Sequence, residues 1–335
     1  MHQLRKPYLL FLGDVQLKSD AKTAFGLRDW CAADVMGEWA LPGTPITLNL
    51  PRMPPAEAAR LGAGSLVIGV AAVGGVLPEH WLPEIEAALT AGLDVVSGQH
   101  SRLTSFASLV LAAKQGGGQL IDVRHSNKTF PAGTGRKRTG KRVLTVGTDC
   151  ALGKKYTALA LTQALVAQGV KATFRATGQT GVMIAGEGIA IDAVISDFVS
   201  GAAEQLSPDN APDHWDVIEG QGALFHPAYA GVTLGLLHGS QPDALVLCHD
   251  PSRKTIEGYE DFPIPSLQVA IKRYVEAAQL TNPSVRCIGV SINSSSLSDA
   301  QWVRYADDMV AELKLPVVDP LRGGVDALAR ALLST

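Results

Sequence analysis

The stretch Arg142-Val-Leu-Thr-Val-Gly-Thr-Asp-Cys-Ala-Leu-Gly-Lys-Lys-Tyr-Thr157 constrains this chain more than any other. It reads as a buried strand from Val143 to Val146, a glycine-bearing loop from Gly147 to Gly153 and a helix opening at Lys154. Unpaired N–H groups and a positive dipole end make a helix N-terminus attractive to phosphate. Gly153 allows close approach of backbone to oxygen, and Lys154 adds a point charge. A nucleotide-like cofactor is therefore expected on Gly147, Thr148, Asp149, Cys150, Gly153, Lys154, Lys155, Tyr156 and Thr157. The common pattern is G-x-x-x-x-G-K-[ST]. Here Thr148 takes the usual first-glycine slot, and Lys155 stands where a hydroxyl normally holds magnesium. Thr157 comes two residues later, about 200° further around the helix, and is poorly placed to replace that ligand. Binding of phosphates is thus better supported than hydrolysis of Mg-ATP.

At 335 residues the chain can hold two domains. A net charge of −3 gives no electrostatic case for nucleic acid. The cluster Arg136-Lys-Arg138 with Lys141 and Arg142 reads as a solvated linker. Cys31, Cys150, Cys248 and Cys287 have neither metal-ligand spacing nor a disulfide pattern. Cys150 lies where a helix N-terminus lowers a thiol pKa, so it is either a nucleophile or a small loop residue. The N-terminal residues carry no apolar segment before a cleavage site, and no apolar run is long enough to span a bilayer. A cytoplasmic protein without membrane or nucleic-acid partners is expected.

Strands and helices alternate in both halves, which implies α/β architecture with parallel sheets covered on both faces. In the first half the strands are Tyr8 to Leu12, Leu66 to Ala72, Leu93 to Val96 and Leu120 to Val123, with helices at Pro78 to Ala91 and Thr104 to Lys114. This is a Rossmann-like N-terminal domain over residues 1–125. Residues 126–141 are polar, glycine-rich and aperiodic, a linker. Residues 142–335 read as a doubly wound, P-loop NTPase-like domain. Its strands are expected at Ala172 to Ala176, Trp215 to Ile218, Ala244 to Cys248 and Val285 to Ile292, and a helix at Asp192 to Leu206.

Ligands of open parallel sheets bind beyond the carboxyl ends of the strands. That rule selects Gly13-Asp14, Val73 to Gly75 and Gly98-Gln99-His100 in the first half. In the second it selects the loop, Thr177 to Gly181, Glu219 to Gly222 and His249-Asp250. Glu219 could hold a metal or act as a base, and its flanking glycines suggest close approach of a ligand. Gln179 and Thr180 lie in a turn able to bind an anion. His226, His100 and His249 are each a base, a substrate contact or structural. Lys22, Arg28, Arg253 and Lys254 could hold carboxylates.

Several segments together resemble one family. They are Gly147-Thr-Asp-Cys-Ala-Leu-Gly-Lys-Lys-Tyr-Thr157, Leu12-Gly-Asp14, Ala21-Lys-Thr23, Gly26-Leu-Arg-Asp-Trp30, Ile68-Gly-Val70, Gly92-Leu-Asp-Val-Val-Ser-Gly98 with His100, Ala176-Thr-Gly-Gln-Thr-Gly181 and Glu219-Gly-Gln-Gly222. The chain is similar along its length to a bacterial and archaeal P-loop family long carried as a domain of unknown function, and more distantly to dethiobiotin synthetase. Members of that family include a D-glutamate N-acetyltransferase. The resemblance implies transfer of acetyl from acetyl-CoA to D-glutamate, with a partner dehydrogenase acting on the product. CoA carries a 3′-phospho-ADP that a phosphate loop can hold without hydrolysing it. On this reading no metal is needed. From strand-end position, Glu219 is the candidate base with His226 behind it, and N–H groups of Gly178 to Gly181 are candidate oxyanion donors. Lys22, Arg28, His100, Gln179, Thr180 and Arg253 are candidates for the substrate. The alternatives are an ATP- and magnesium-dependent ligase or kinase of the dethiobiotin synthetase kind and a nucleotide-binding regulatory module. A homo-oligomer is expected.

Overall fold

The computed structural model describes residues 4–70, 75–125 and 128–334. The chain divides into two compact units, Met1–Lys128 with Gly178–Ala193, and Thr129–Thr177 with Val194–Thr335.

Tyr8-Leu-Leu-Phe11 is apolar throughout, the pattern of a strand covered on both faces, and all four residues are buried. It forms β1 (Tyr8–Phe11). Among the described residues it joins β2 (Val35–Trp39), β3 (Ser65–Ile68), β4 (Asp94–Ser97) and β5 (Leu120–Asp122) in a parallel sheet of order β2-β1-β3-β4-β5. The helices are α1 (Lys22–Trp30), α2 (Pro55–Arg60), α3 (Leu82–Thr90) and α4 (Ala107–Gly116). α3 turns Ile85, Ala88 and Leu89 inward, as the spacing predicts. Trp81, just before it, stands edge-on to Phe11 with ring centres 5.5 Å apart. A Cβ on Gly13, whose φ is +57°, would run into the Trp81 ring, so the turn after β1 requires glycine. Asp14 accepts hydrogen bonds from Trp81 Nε1 at 2.8 Å and approaches His80 Nε2 at 2.9 Å, which holds its carboxyl below the usual range. The end of the strand expected at Leu66 to Ala72 lies outside the described residues, as do Val73 and Gly74.

The second unit begins with the sequence's clearest strand, β6 (Lys141–Gly147), followed by α5 (Lys154–Ala167) and β7 (Ala172–Arg175). The chain then contributes α6 (Gln179–Ala185), which packs on α1, to the first unit. It returns as α7 (Val199–Leu206), β8 (Trp215–Ile218), α8 (Ala230–Ser240) and β9 (Ala244–His249). After the hairpin β10 (Thr255–Ile256) and β11 (Tyr259–Pro263) come α9 (Leu267–Gln279), β12 (Arg286–Ile292), α10 (Asp299–Leu313), β13 (Val317–Val318) and α11 (Asp326–Leu333). Among the described residues the main sheet runs β13-β12-β9-β6-β8-β7, all parallel. β8 and β9 flank β6, so connections diverge there and the loop after β6 sits at the topological switch point.

Three sequence expectations change. Gln179 and Thr180, expected in a turn, open the helix α6. The helix expected over Asp192 to Leu206 is two 3₁₀ turns and then α7, and Ile195, between the two turns, is 71% exposed. The basic cluster is not a solvated linker throughout. Arg142 is fully buried and Arg138 nearly so. Arg138 donates to the carbonyls of Ser207 and Gly239, each at 2.7 Å, and Arg142 to those of Thr139 at 2.9 Å and Pro208 at 3.1 Å. Burial pushes Arg138 down to about 10, still charged at neutral pH. These forks satisfy carbonyls at the C-terminal ends of α7 and α8 and in the segment before β6.

Candidate functional site

The loop from Gly147 to Gly153 wraps the start of α5. Ala151 and Gly153 both take the left-handed backbone, with φ of +54° and +101°. Lys154 is 7% exposed, and its Nζ donates to the Asp149 carbonyl at 2.8 Å. Burial drives this ammonium below its ordinary pKa, opposed by the nearby Cys150, Cys248 and Asp149. The loop is tied down from below. Tyr274, 1% exposed, donates its hydroxyl to the Gly147 carbonyl at 2.7 Å and accepts the Leu224 N–H at 2.8 Å. Thr148 Oγ1 lies 2.9 Å from His249 Nδ1. Thr157 turns its hydroxyl away, onto Ser291 Oγ at 2.8 Å and the Gly153 carbonyl at 3.1 Å.

Asp149, with no solvent exposure, is the hub of the loop. Its Oδ1 accepts the Cys150 N–H at 2.6 Å, and its Oδ2 accepts Arg253 Nη1 at 2.7 Å and the Glu257 N–H at 2.9 Å. Arg253 also donates to the Cys150 carbonyl and pairs with Glu257. Asp149, Cys150 and a ring nitrogen of His226 come within 4.8 Å of one another, a donor set of metal-binding type. Arg253 already neutralises the carboxylate, however, and His226 Nδ1 accepts the Ala228 N–H at 3.1 Å. The cluster is better suited to frame an anion than to cage a cation. That backbone bond leaves the proton of neutral His226 on Nε2, and burial lowers the ring's pKa, so it stays neutral at pH 7.

Glu219, 4% exposed, sits at the end of β8. Its Oε2 accepts the Thr177 N–H at 3.0 Å, and Thr177 Oγ1 donates to the Glu219 carbonyl at 2.6 Å. A Cβ on Gly220 would strike the Thr145 carbonyl and lie 3.1 Å from Lys154 Cδ. That glycine lets the Glu219 turn close onto the Thr145 carbonyl and the lysine.

Two family models divide the chain between them: a Rossmann-like domain of unknown function, DUF1611_N, over residues 34–126, and a P-loop domain of unknown function, DUF1611_C, over residues 129–329. The chain belongs to the DUF1611 family. A crystal structure of a DUF1611 protein from Anabaena variabilis is 32% identical, with a TM-score of 0.88, covering 98% of this chain and all of that one. Two relatives, from a Pseudoalteromonas species and from Tritonibacter scottomollicae, are each named D-glutamate N-acetyltransferase. They are 48% and 46% identical, over 98% of this chain and 99% of their own length. No helix among the described residues is long and apolar enough to cross a membrane.

In this DUF1611 chain the residues named from sequence fall into two groups. The loop, Glu219, His226 and Arg253 belong to the second unit; Lys22, Arg28, His100, Gln179 and Thr180 belong to the first. Lys22 is exposed at the start of α1. Arg28 is paired with Asp29 at 2.6 Å and lies over the Phe25 ring, and Arg253 is held by Asp149. Thr180 Oγ1 is 2.8 Å from Thr23 Oγ1, and Gln179 packs against Gly98. His100 is exposed, its carbonyl accepting from His125. Lys155 lies over the ring of Tyr156. Tyr274 carries little signal in the sequence, being one aromatic on the inner face of the amphipathic helix α9.

His249 gives this DUF1611 fold an acid sensitivity. Burial lowers its pKa from 6.5 to about 4. The unfolded chain therefore binds more protons between those values. Stability is present in full above about pH 6.5 and is lost progressively as pH falls toward about 4, by on the order of 3 kcal/mol. Urea midpoints should fall from pH 7 to pH 5 by more in the parent than in His249→Gln, and equal falls would contradict the assignment.

Proposed function

We propose that this protein transfers the acetyl group of acetyl-CoA to the amino group of D-glutamate. The observation that carries the reading is the near-half identity, over essentially full length, to two relatives bearing that name. The site is consistent with it. Lys154 and the opening turn of α5 suit the phosphates of CoA. Nothing in that role requires a hydroxyl directly after the lysine.

The substrate amine arrives as an ammonium and must lose a proton before it can attack. Glu219, buried beside Lys154, is the proposed acceptor of that proton. The free amine attacks the thioester carbonyl, the C–S bond breaks, and the CoA thiolate leaves to be protonated. Neutral His226, a donor at Nε2 close to Asp149 and Cys150, is the proposed hydrogen-bond donor to the developing negative charge. The reading implies a dehydrogenase that consumes the N-acetylated product, a cytoplasmic setting and a homo-oligomer.

Mass spectrometry of the full chain's reaction with acetyl-CoA tests this. N-acetylglutamate should accumulate with D-glutamate and far less with L-glutamate. Product absent with both, together with ADP release from Mg-ATP, would replace the reading with ligase or kinase chemistry.

A further inference from the structure

Tyr229, Tyr259 and Phe262 are 53%, 37% and 45% exposed. Aromatic residues make up 6% of the sequence, so three exposed rings in one place need a reason. Tyr229 precedes α8, and the other two lie on β11, whose five residues are all exposed. The rings converge on His226. Its centre lies 4.4 Å from that of Tyr229 and 5.0 Å from that of Tyr259, and Tyr259 meets Phe262 at 6.2 Å. His226 is 3% exposed, so it forms the floor and the others the rim.

This rim is continuous with the phosphate loop. A His226 ring nitrogen, Cys150 Sγ and an Asp149 carboxylate oxygen lie within 4.8 Å of one another. The hairpin carrying Tyr259 and Phe262 is anchored to the same carboxylate through Arg253 and the Glu257 N–H, with Ile256 buried beneath. Asp149 therefore fixes the loop and the aromatic rim as one body. The exposed rings contribute little burial to the hairpin itself, and pairing an anion cradle with stacking faces is what a nucleotide selects.

We propose that Tyr229, Tyr259 and Phe262 form a stacking shelf for the adenine ring of the acyl donor whose phosphates take the loop. The proposal rests on the acetyl-CoA reading above and adds to it a site for the adenosine half of the donor. Adenine offers a planar π face to the tyrosines, and a nucleotide's own length joins that face to the phosphates.

The test is calorimetric binding of CoA and of 4′-phosphopantetheine, which lacks adenosine, to the parent, Tyr229→Ala, Tyr259→Ala and Tyr259→Trp. The alanine variants should bind CoA about 10- to 100-fold more weakly. Their affinity for phosphopantetheine should stay within about twofold of the parent, and Tyr259→Trp, which keeps a stacking face, should bind CoA as the parent does. Unchanged CoA affinity in both alanine variants, or equal losses for the two ligands, would overturn the shelf while leaving the acetyltransferase reading intact. A parent that does not bind CoA would remove the donor reading and the shelf with it.

Discussion

Glutamine in place of Glu219 should lower kcat for acetyl transfer by about 10²- to 10⁴-fold. The substitution isolates charge from shape. Glu219 Oε2 accepts the Thr177 N–H at 3.0 Å, and a glutamine oxygen can accept it equally well. The backbone bonds around it, Thr177 Oγ1 to the Glu219 carbonyl and the Gly220 N–H to Thr145 Oγ1, do not involve the carboxylate. Melting temperature, measured alongside, separates a lost proton acceptor from a loosened fold. What is lost is the acceptor for the ammonium proton, so the variant's rate should climb with pH toward the pKa of the substrate amine, where the amine arrives already deprotonated. A kcat within about threefold of the parent at neutral pH would remove Glu219 from the proton transfer.

Arg253→Met should be the most damaging single change to the loop, costing about 3 kcal/mol in the urea unfolding of the chain. The guanidinium is the counter-charge of a carboxylate with no solvent exposure. Its removal leaves Asp149 with two N–H donors and an uncompensated charge. Because the same carboxylate anchors the Glu257 N–H, the hairpin should loosen and donor affinity fall with it. Adding Asp149→Asn should recover most of the stability, since an amide needs no counter-charge. A loss below about 1 kcal/mol for the single variant, or no recovery in the double, would contradict the hub role of Asp149.

The parts of the molecule that were legible in sequence share one property: their signal is local. Val143 to Val146 is a β-branched and apolar run, Val-Leu-Thr-Val, between a polar stretch and a glycine loop, and it lies in an interior strand of the sheet. Strand–helix alternation predicted parallel sheets in both halves, and both are parallel. The turn residues followed, because ligand loops of such sheets sit at strand ends. What stayed hidden depends on partners distant in the chain. Nothing near Arg142 in sequence announces that carbonyls of Ser207 and Pro208 will surround it, so charge alone predicted solvent. α6 has the short, glycine-flanked look of a turn and gains its helix by packing on α1, more than 140 residues earlier. The β10–β11 hairpin carries almost no buried side chains, hence no periodicity, and its position is set by Asp149 over a hundred residues away. The sequence leaves His226 open as a base, a substrate contact or a structural residue, because the hydrogen bond from the Ala228 N–H to Nδ1 depends on a loop geometry that no local pattern encodes.

The most direct test of the account is the initial rate of thiol release from acetyl-CoA by the full chain in EDTA, without ATP, with D-glutamate present or absent. Steady release of CoA that depends on D-glutamate and is indifferent to added magnesium or ATP is expected. No release with D-glutamate, or release that appears only when Mg-ATP is supplied, would contradict it.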